Sequence, residues 1–263
     1  MPSLTLIGMG LHDEKGISIL GLEKARSAEV IFMERYTNVM PGLDLGSLEK
    51  MVGKPIRVIG RREVEDGTEI LREAQLRDVV LLVAGDPFIA TTHVDLRLRA
   101  IKKGIQVGVV NASSIISAAP GAAGLQNYKF GRSATITFPE PLSLVPYEVL
   151  RTNLSLGLHT LFFLDLRVEE ERFMSAGEGI RMLLEIEAHE RRGVVSEETL
   201  MVVLARLGST SQVVRAGRAG ALLEMDFGGA PHSLIVPGKL HFMEAEALVT
   251  LAGAEEEIVR RNL

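Results

Sequence analysis

The sequence predicts an α/β protein of two domains. In the first half, short apolar runs alternate with amphipathic stretches, the pattern of βα units around a mostly parallel sheet. After Tyr128-Lys129-Phe130-Gly131-Arg132 the texture changes to strands of mixed spacing, which gives domains of 1–130 and 131–263. The run Val80-Leu81-Leu82-Val83-Ala84 stops abruptly in Gly85-Asp86-Pro87. That pattern is a buried strand feeding a cleft. Gly85 lets backbone approach a ligand, Pro87 forbids further ladder pairing, and Asp86 stands at the strand's carboxyl end, where open α/β sheets bind ligands.

In order, strands are expected at 3–8, 29–33, 56–60, 78–84 and 105–110, with helices near 15–26, 43–52, 66–76, 92–103 and 113–124. The fourth helix has the clearest ends: Thr92 and Asp95 have capping-box spacing, and Lys102-Lys103-Gly104 supplies a cationic last turn and a stop. Beyond 130, strands are expected at 133–138, 159–165, 199–206, 212–217 and 232–236. Two helices interrupt them. Ala176 to Arg192 repeats apolar residues at Ile180, Leu183, Leu184 and Ala188 before Gly193, and Leu240 to Ala252 follows Pro237-Gly238. Pro139-Glu140-Pro141 through Pro146 reads as a loop.

The 263 residues suffice for two domains with their own cores. The absence of cysteine excludes disulfides, thiolate metal sites and a cysteine nucleophile, and suits a reducing compartment such as the cytoplasm. The N-terminal apolar run lacks a basic flank and is too short for a signal peptide, and no run approaches a membrane span of ~20 apolar residues. A net charge of −5 argues against general nucleic-acid binding. His12, His93, His159, His189, His232 and His241 are scattered, with no metal-ligand spacing. Neither a Gly-x-Ser-x-Gly elbow nor a phosphate loop appears, so acyl and phosphoryl transfer lose support.

Gly8-Met9-Gly10 after the first strand suggests a dinucleotide fingerprint, with Glu34 as the ribose acid. The third glycine, however, is replaced by Asp13, whose charge would repel a phosphate. What remains is close backbone approach to an uncharged or zwitterionic ligand. Asp86 has a plainer reading as a turn residue bonding nearby N–H groups, and Ser113 or Ser114 as a helix cap. The runs Leu161-Phe162-Phe163-Leu164-Asp165, Ala205-Arg206-Leu207-Gly208-Ser209 and Pro231-His232-Ser233-Leu234-Ile235-Val236 each read, alone, as core. The charge run Glu169-Glu170-Glu171-Arg172 reads as a solvated face.

Taken in order, these segments, with Ala90-Thr91-Thr92-His93, Tyr128-Lys129-Phe130-Gly131 and Pro237-Gly238-Lys239-Leu240-His241, resemble the tetrapyrrole-methylase-like S-adenosylmethionine enzymes. Within that superfamily they resemble the diphthamide-biosynthesis branch. The resemblance covers essentially the whole chain. It implies two α/β domains with S-adenosylmethionine in a cleft between them, and a homodimer. The implied substrate is the histidine of translation elongation factor 2 that carries a 3-amino-3-carboxypropyl group, whose amine is trimethylated. Residue by residue it implies a cofactor pocket of Leu11, Asp86, Ile89, Ser114, Ile115, Leu164, Leu207 and His232, with no metal. The substrate carboxylate needs a cation; Lys129, Arg132, Arg167 and Lys239 are candidates, Lys129 or Arg132 foremost. Rival readings are a corrinoid, porphyrin or ribosomal RNA methylase of the same superfamily, a non-catalytic binding module, and a nicotinamide oxidoreductase.

Overall fold

A computed structural model describes residues 2–36 and 39–263. The chain forms two compact units, Met1–Ile115 with Val168–Glu170, and Ile116–Arg167 with Glu171–Leu263. The division falls at 115/116, ahead of the change in sequence texture near 130.

The first unit holds five parallel strands, β1 (Ser3–Gly8), β2 (Val30–Glu34), β3 (Arg57–Ile59), β4 (Asp78–Val83) and β5 (Gln106–Val110), in the order β3-β2-β4-β1-β5. Strand order reverses after β1, so the carboxyl ends of β4, β1 and β5 lie side by side at the switch point where such sheets bind ligands. The central strands are near-continuous apolar runs because both faces are covered. Leu4, Leu6, Phe32 and Leu81 form one core layer and Ile7, Ile31, Met33 and Leu82 the other. Helices α1 (Ile19–Ser27), α2 (Leu45–Val52), α3 (Arg61–Asp66), α4 (Thr68–Ala74) and α5 (His93–Lys102) connect the strands.

Three expectations change here. The first helix begins at Ile19, capped by Ser18, because Glu14–Gly16 forms a separate short turn. The helix expected at 66–76 is two, broken at Gly67, whose φ of +62° ends one and starts the next. Thr92 precedes α5 without capping it: its hydroxyl faces Tyr36 Oη at 3.3 Å, and Asp95 pairs with Arg99 at 2.8 Å.

The second unit has a mixed sheet in the order β11-β10-β12-β7-β6, made of β6 (Ala134–Ile136), β7 (Thr160–Leu164), β10 (Leu200–Ala205), β11 (Val213–Arg218) and β12 (His232–Val236). Only β6 and β7 are parallel. A two-residue hairpin, β8 (Leu166–Arg167) with β9 (Arg172–Phe173), follows β7. Helices α6 (Ile115–Ala123) through α11 (Glu256–Arg260) include α7 (Val145–Ser155), α8 (Ala176–Glu190), α9 (Ala219–Leu223) and α10 (Phe242–Ala252). α8 starts on a Ser175/Glu178 capping box; Ala188, expected inward, is exposed, and Ile186 packs in the core. α7 has no counterpart in the sequence expectation. Pro146 read as a loop residue, yet it stands in the first turn of the helix, where a missing N–H costs nothing.

Candidate functional site

The carboxyl ends of β1, β4 and β5 are joined by glycine and one carboxylate. Gly10 and Gly85, with φ of +78° and +71°, exchange backbone hydrogen bonds of 3.3 and 2.8 Å. A side chain at Gly8 would stand 2.6 Å from the Gly85 carbonyl and 2.7 Å from Ala112 Cβ, so the three strand ends touch there at backbone distance. At Gly85 a side chain would meet no heavy atom within 4 Å: the turn is open on that side. Asp86 is buried. Its Oδ1 accepts the Phe88 N–H (3.0 Å), and its Oδ2 accepts from Asn111 Nδ2 (2.9 Å) and the Ala112 N–H (3.2 Å). The carboxylate thus makes the turn contact expected of an Asx residue and also ties the loop after β4 to the loop after β5. His93 secures the same turn: its Nδ1–H donates to the Pro87 carbonyl at 2.8 Å, as does the Thr91 hydroxyl at 2.6 Å. Leu11, Ile89 and Ile115 are half-buried around these strand ends, and Ser114 is buried directly before α6.

In the second unit, antiparallel pairing sets Ala205 opposite His232 and Ser233 opposite Phe163. Leu164, Leu207 and His232 therefore gather at one end of three adjacent strands. Arg206 takes a φ of +50° there, and its guanidinium donates to the carbonyls of Phe227, Gly229 and Ser211, pinning the loop that carries Leu207. The His232 ring is fixed at both nitrogens, Nδ1 accepting the Ala176 N–H (3.1 Å) and Nε2–H donating to the Gly229 carbonyl (3.0 Å). Burial holds its pKa below the usual histidine value against the pull of that carbonyl, so the ring is neutral. With both ring nitrogens engaged, His232 has backbone rather than imidazole nitrogen to offer a ligand.

The tetrapyrrole (corrin/porphyrin) methylase family profile matches residues 3–223. The chain belongs to this family. It is 46% identical over 250 residues to a diphthine synthase of Methanocaldococcus jannaschii, covering 93% of this chain and 97% of that one. It is 45% identical over 264 residues to one of Methanothermobacter thermautotrophicus, covering 99% of each. A crystal structure of diphthine synthase superposes with a TM-score of 0.89 at 36% identity over 98% of both chains. A crystal structure of putative diphthine synthase from Entamoeba histolytica gives 0.87 at 35% identity, over 96% of this chain and 99% of that one.

In this tetrapyrrole methylase the segments around Lys129, His159 and Lys239 converge on one carboxylate that sequence reasoning passed over. Glu244, fully buried on α10, accepts from the Gln126 N–H (2.8 Å), His159 Nε2 (2.9 Å), the His241 N–H (2.8 Å) and Lys129 Nζ. Burial pushes this carboxyl up, but those four donors outweigh it and bring its pKa to about 2. Burial keeps His159 below its usual value, and its Nδ1 accepts the Gly238 N–H at 3.0 Å. Lys129, foremost among the expected carboxylate binders, is thereby spent: its ammonium faces Glu244 and the Lys239 carbonyl. The only sequence signal for Glu244 was its place three residues after His241, where it closes a capping box.

The residues fit the methyl donor of the family. A nucleoside with an amino-acid tail wants apolar walls, backbone hydrogen bonds and few charges. In the first unit the strand ends supply open space at Gly85, apolar Leu11, Ile89 and Ile115, and a carboxylate already satisfied within the protein; in the second, apolar Leu164 and Leu207 share a sheet end with an imidazole engaged at both nitrogens. Among the described residues no three His, Cys, Asp or Glu side chains gather as a metal-binding group. No helix there is long and apolar enough to cross a membrane.

Proposed function

We propose that this methyltransferase of diphthamide biosynthesis is a diphthine synthase. It transfers methyl groups from S-adenosylmethionine to the amine of the 3-amino-3-carboxypropyl histidine of translation elongation factor 2, three in all. The observation that carries this reading is the near-full-length likeness to diphthine synthases; the opening at Gly85 supports it. Leu11, Asp86, Ile89, Ser114, Ile115, Leu164, Leu207 and His232 are proposed to hold the donor. Asp86 does so by fixing the Gly85 turn. The same reading carries a homodimer and a cytoplasmic location.

When bound, S-adenosylmethionine supplies a methyl group already activated on a sulfonium. The chain's own residues need furnish no nucleophile. They hold the amine in line behind the methyl carbon and exclude water, and positioning of this kind supplies ~7–11 kcal/mol of a barrier. The attacking amine must be neutral, although a primary amine is largely protonated at neutral pH. Partial desolvation favours its neutral form, and bulk water takes the proton released.

Incubating elongation factor 2 bearing the aminocarboxypropyl histidine with this protein and S-adenosylmethionine is expected to add three methyls to that histidine, read by mass spectrometry. No gain with the donor still bound would overturn the substrate and leave the family's tetrapyrroles and RNA to be tried.

A further inference from the structure

Beyond the end of β7, one arginine stands out for lying on a buried aromatic ring. Arg167 and Arg172 face each other across the β8–β9 hairpin, a juxtaposition of like charges that costs stability unless something holds it. Phe138 holds it. This buried ring carries the Arg172 guanidinium 3.7 Å from its centroid and the Arg167 guanidinium 5.2 Å away. Phe138 is fixed in turn by its N–H donating to Asp165 Oδ2 at 3.1 Å, at the paired carboxyl ends of β6 and β7. Glu140 spans the two arginines, 3.0 Å from Arg167 Nη2 but 3.6 Å from Arg172 Nη1, beyond hydrogen-bond length. Among the described residues the half-exposed Arg172 guanidinium donates no hydrogen bond; it lies over the Phe138 ring, and its N–H edge meets only Glu140, at ion-pair distance.

Three other cations of this unit are engaged elsewhere: Lys129 with Glu244, Arg206 with three carbonyls, Arg218 with Glu198. A guanidinium held on an aromatic face, with its edge met by one exposed carboxylate beyond hydrogen-bond length, suits a planar, bidentate anion. It stands on the hairpin that leaves Leu164, one of the residues proposed to hold the donor. We propose that Arg172, stacked on Phe138 and seconded by Arg167, binds the carboxylate of the aminocarboxypropyl side chain and so orients its amine. Glu140, more than half exposed, occupies the same edge loosely and yields it to the substrate.

This rests on the function proposed above, and the test separates the two. With elongation factor 2 bearing the modified histidine, Arg172→Gln is expected to raise KM about ten- to hundred-fold, the range for a lost charge-assisted hydrogen bond. kcat should change far less and S-adenosylmethionine affinity not at all. Arg172→Lys, which keeps the charge and loses the fork, should recover only part. Glu140→Gln should lower KM by removing the competing carboxylate. A wild-type protein that never methylates the factor sinks the function itself and this site with it. An active wild type with unchanged KM in Arg172→Gln sinks the site alone. So does a KM rise matched by an equal loss of donor affinity, which would mark Arg172 as structural. If Arg172→Gln does not fold, Arg172→Lys decides: KM at the wild-type value overturns the assignment.

Discussion

Asp86 and Glu244 are both buried carboxylates that gather donors from distant parts of the chain, yet they sit in opposite surroundings. Asp86 joins strand ends beside a glycine turn with open space on one side. Glu244 is sealed: each of its oxygens accepts two hydrogen bonds, and Gly238 packs too closely for any side chain, whose Cβ would fall 2.5 Å from the Leu158 carbonyl. The first arrangement shapes a vacancy, and the second removes one. The segments that carried the resemblance therefore serve two ends: Ala-Thr-Thr-His and Gly-Asp-Pro build the opening, while Tyr-Lys-Phe-Gly and Gly-Lys-Leu-His build the lock. If that contrast holds, substitutions on the Glu244 side should cost stability, and those on the Asp86 side should cost ligand binding first.

The largest effect is expected at the lock. Glu244→Gln turns an amide N–H₂ toward donors and deprives the half-buried Lys129 of its countercharge, a loss of up to ~3 kcal/mol, the lower end for broken buried pairs because Lys129 is partly exposed. The wild type also carries a pH signature. Its Glu244 pKa, about 2 against an ordinary 4.5, is depressed in the folded chain. Its stabilisation is therefore complete above pH 4.5 and lost as pH falls toward 2, a contribution of about 3 kcal/mol. His159, held below its usual 6.5, acts in the same direction beneath that value, because the fold resists its protonation. Glu187, also brought to about 2 when the N–H groups of Gly193, Val195 and Val194 and the Tyr147 hydroxyl outweigh burial, contributes equally to both proteins. Urea melts at pH 7, 5 and 3 should show the acid slope reduced in Glu244→Gln. An identical slope would mean that the carboxylate is not held as described.

On the other side, Gly8→Ala is a sharp intrusion, because its Cβ falls 2.6 Å from a backbone carbonyl that cannot rotate away. Overpacking of that kind costs ~1–3 kcal/mol. The strand ends must part to admit the methyl, so S-adenosylmethionine affinity should fall further than stability alone requires. Titration calorimetry beside a thermal melt makes that comparison. Equal affinity in the variant would remove this glycine from the site.

The alternation of the first unit was legible because both faces of its sheet are covered, which leaves uninterrupted apolar runs. The proposed site was legible only as order along the chain. Each segment alone read as core, since a pocket made of backbone and apolar walls has the composition of core. Two things escaped. α7 was hidden by a proline at its start, where proline punctuates a loop and begins a helix equally well. Glu244, Asn153 and Arg172 escaped for a different reason: their meaning lies in partners far away in sequence. Asn153 donates to the Arg132 carbonyl and Thr160 Oγ1, and Arg172 lies on Phe138, in a charge run that read as solvated face.

The smallest effect on stability, and the finest test of the contrast, is Gly85→Ala. No neighbouring atom opposes the new methyl, so only the left-handed backbone does, at about 1–2 kcal/mol for an alanine held at φ +71°. A turn whose glycine serves conformation alone should lose that much stability and no binding. A turn whose glycine also keeps space for the donor should lose S-adenosylmethionine affinity well beyond it, because the methyl projects into the open side. Gly53 is the control within the same unit: it too is left-handed, φ +79°, with nothing within 4 Å, but it ends α2 away from the strand ends that gather Asp86. Gly53→Ala should match Gly85→Ala in the melt and leave donor binding at the wild-type value. If the two variants bind S-adenosylmethionine alike, the opening at Gly85 is only a turn.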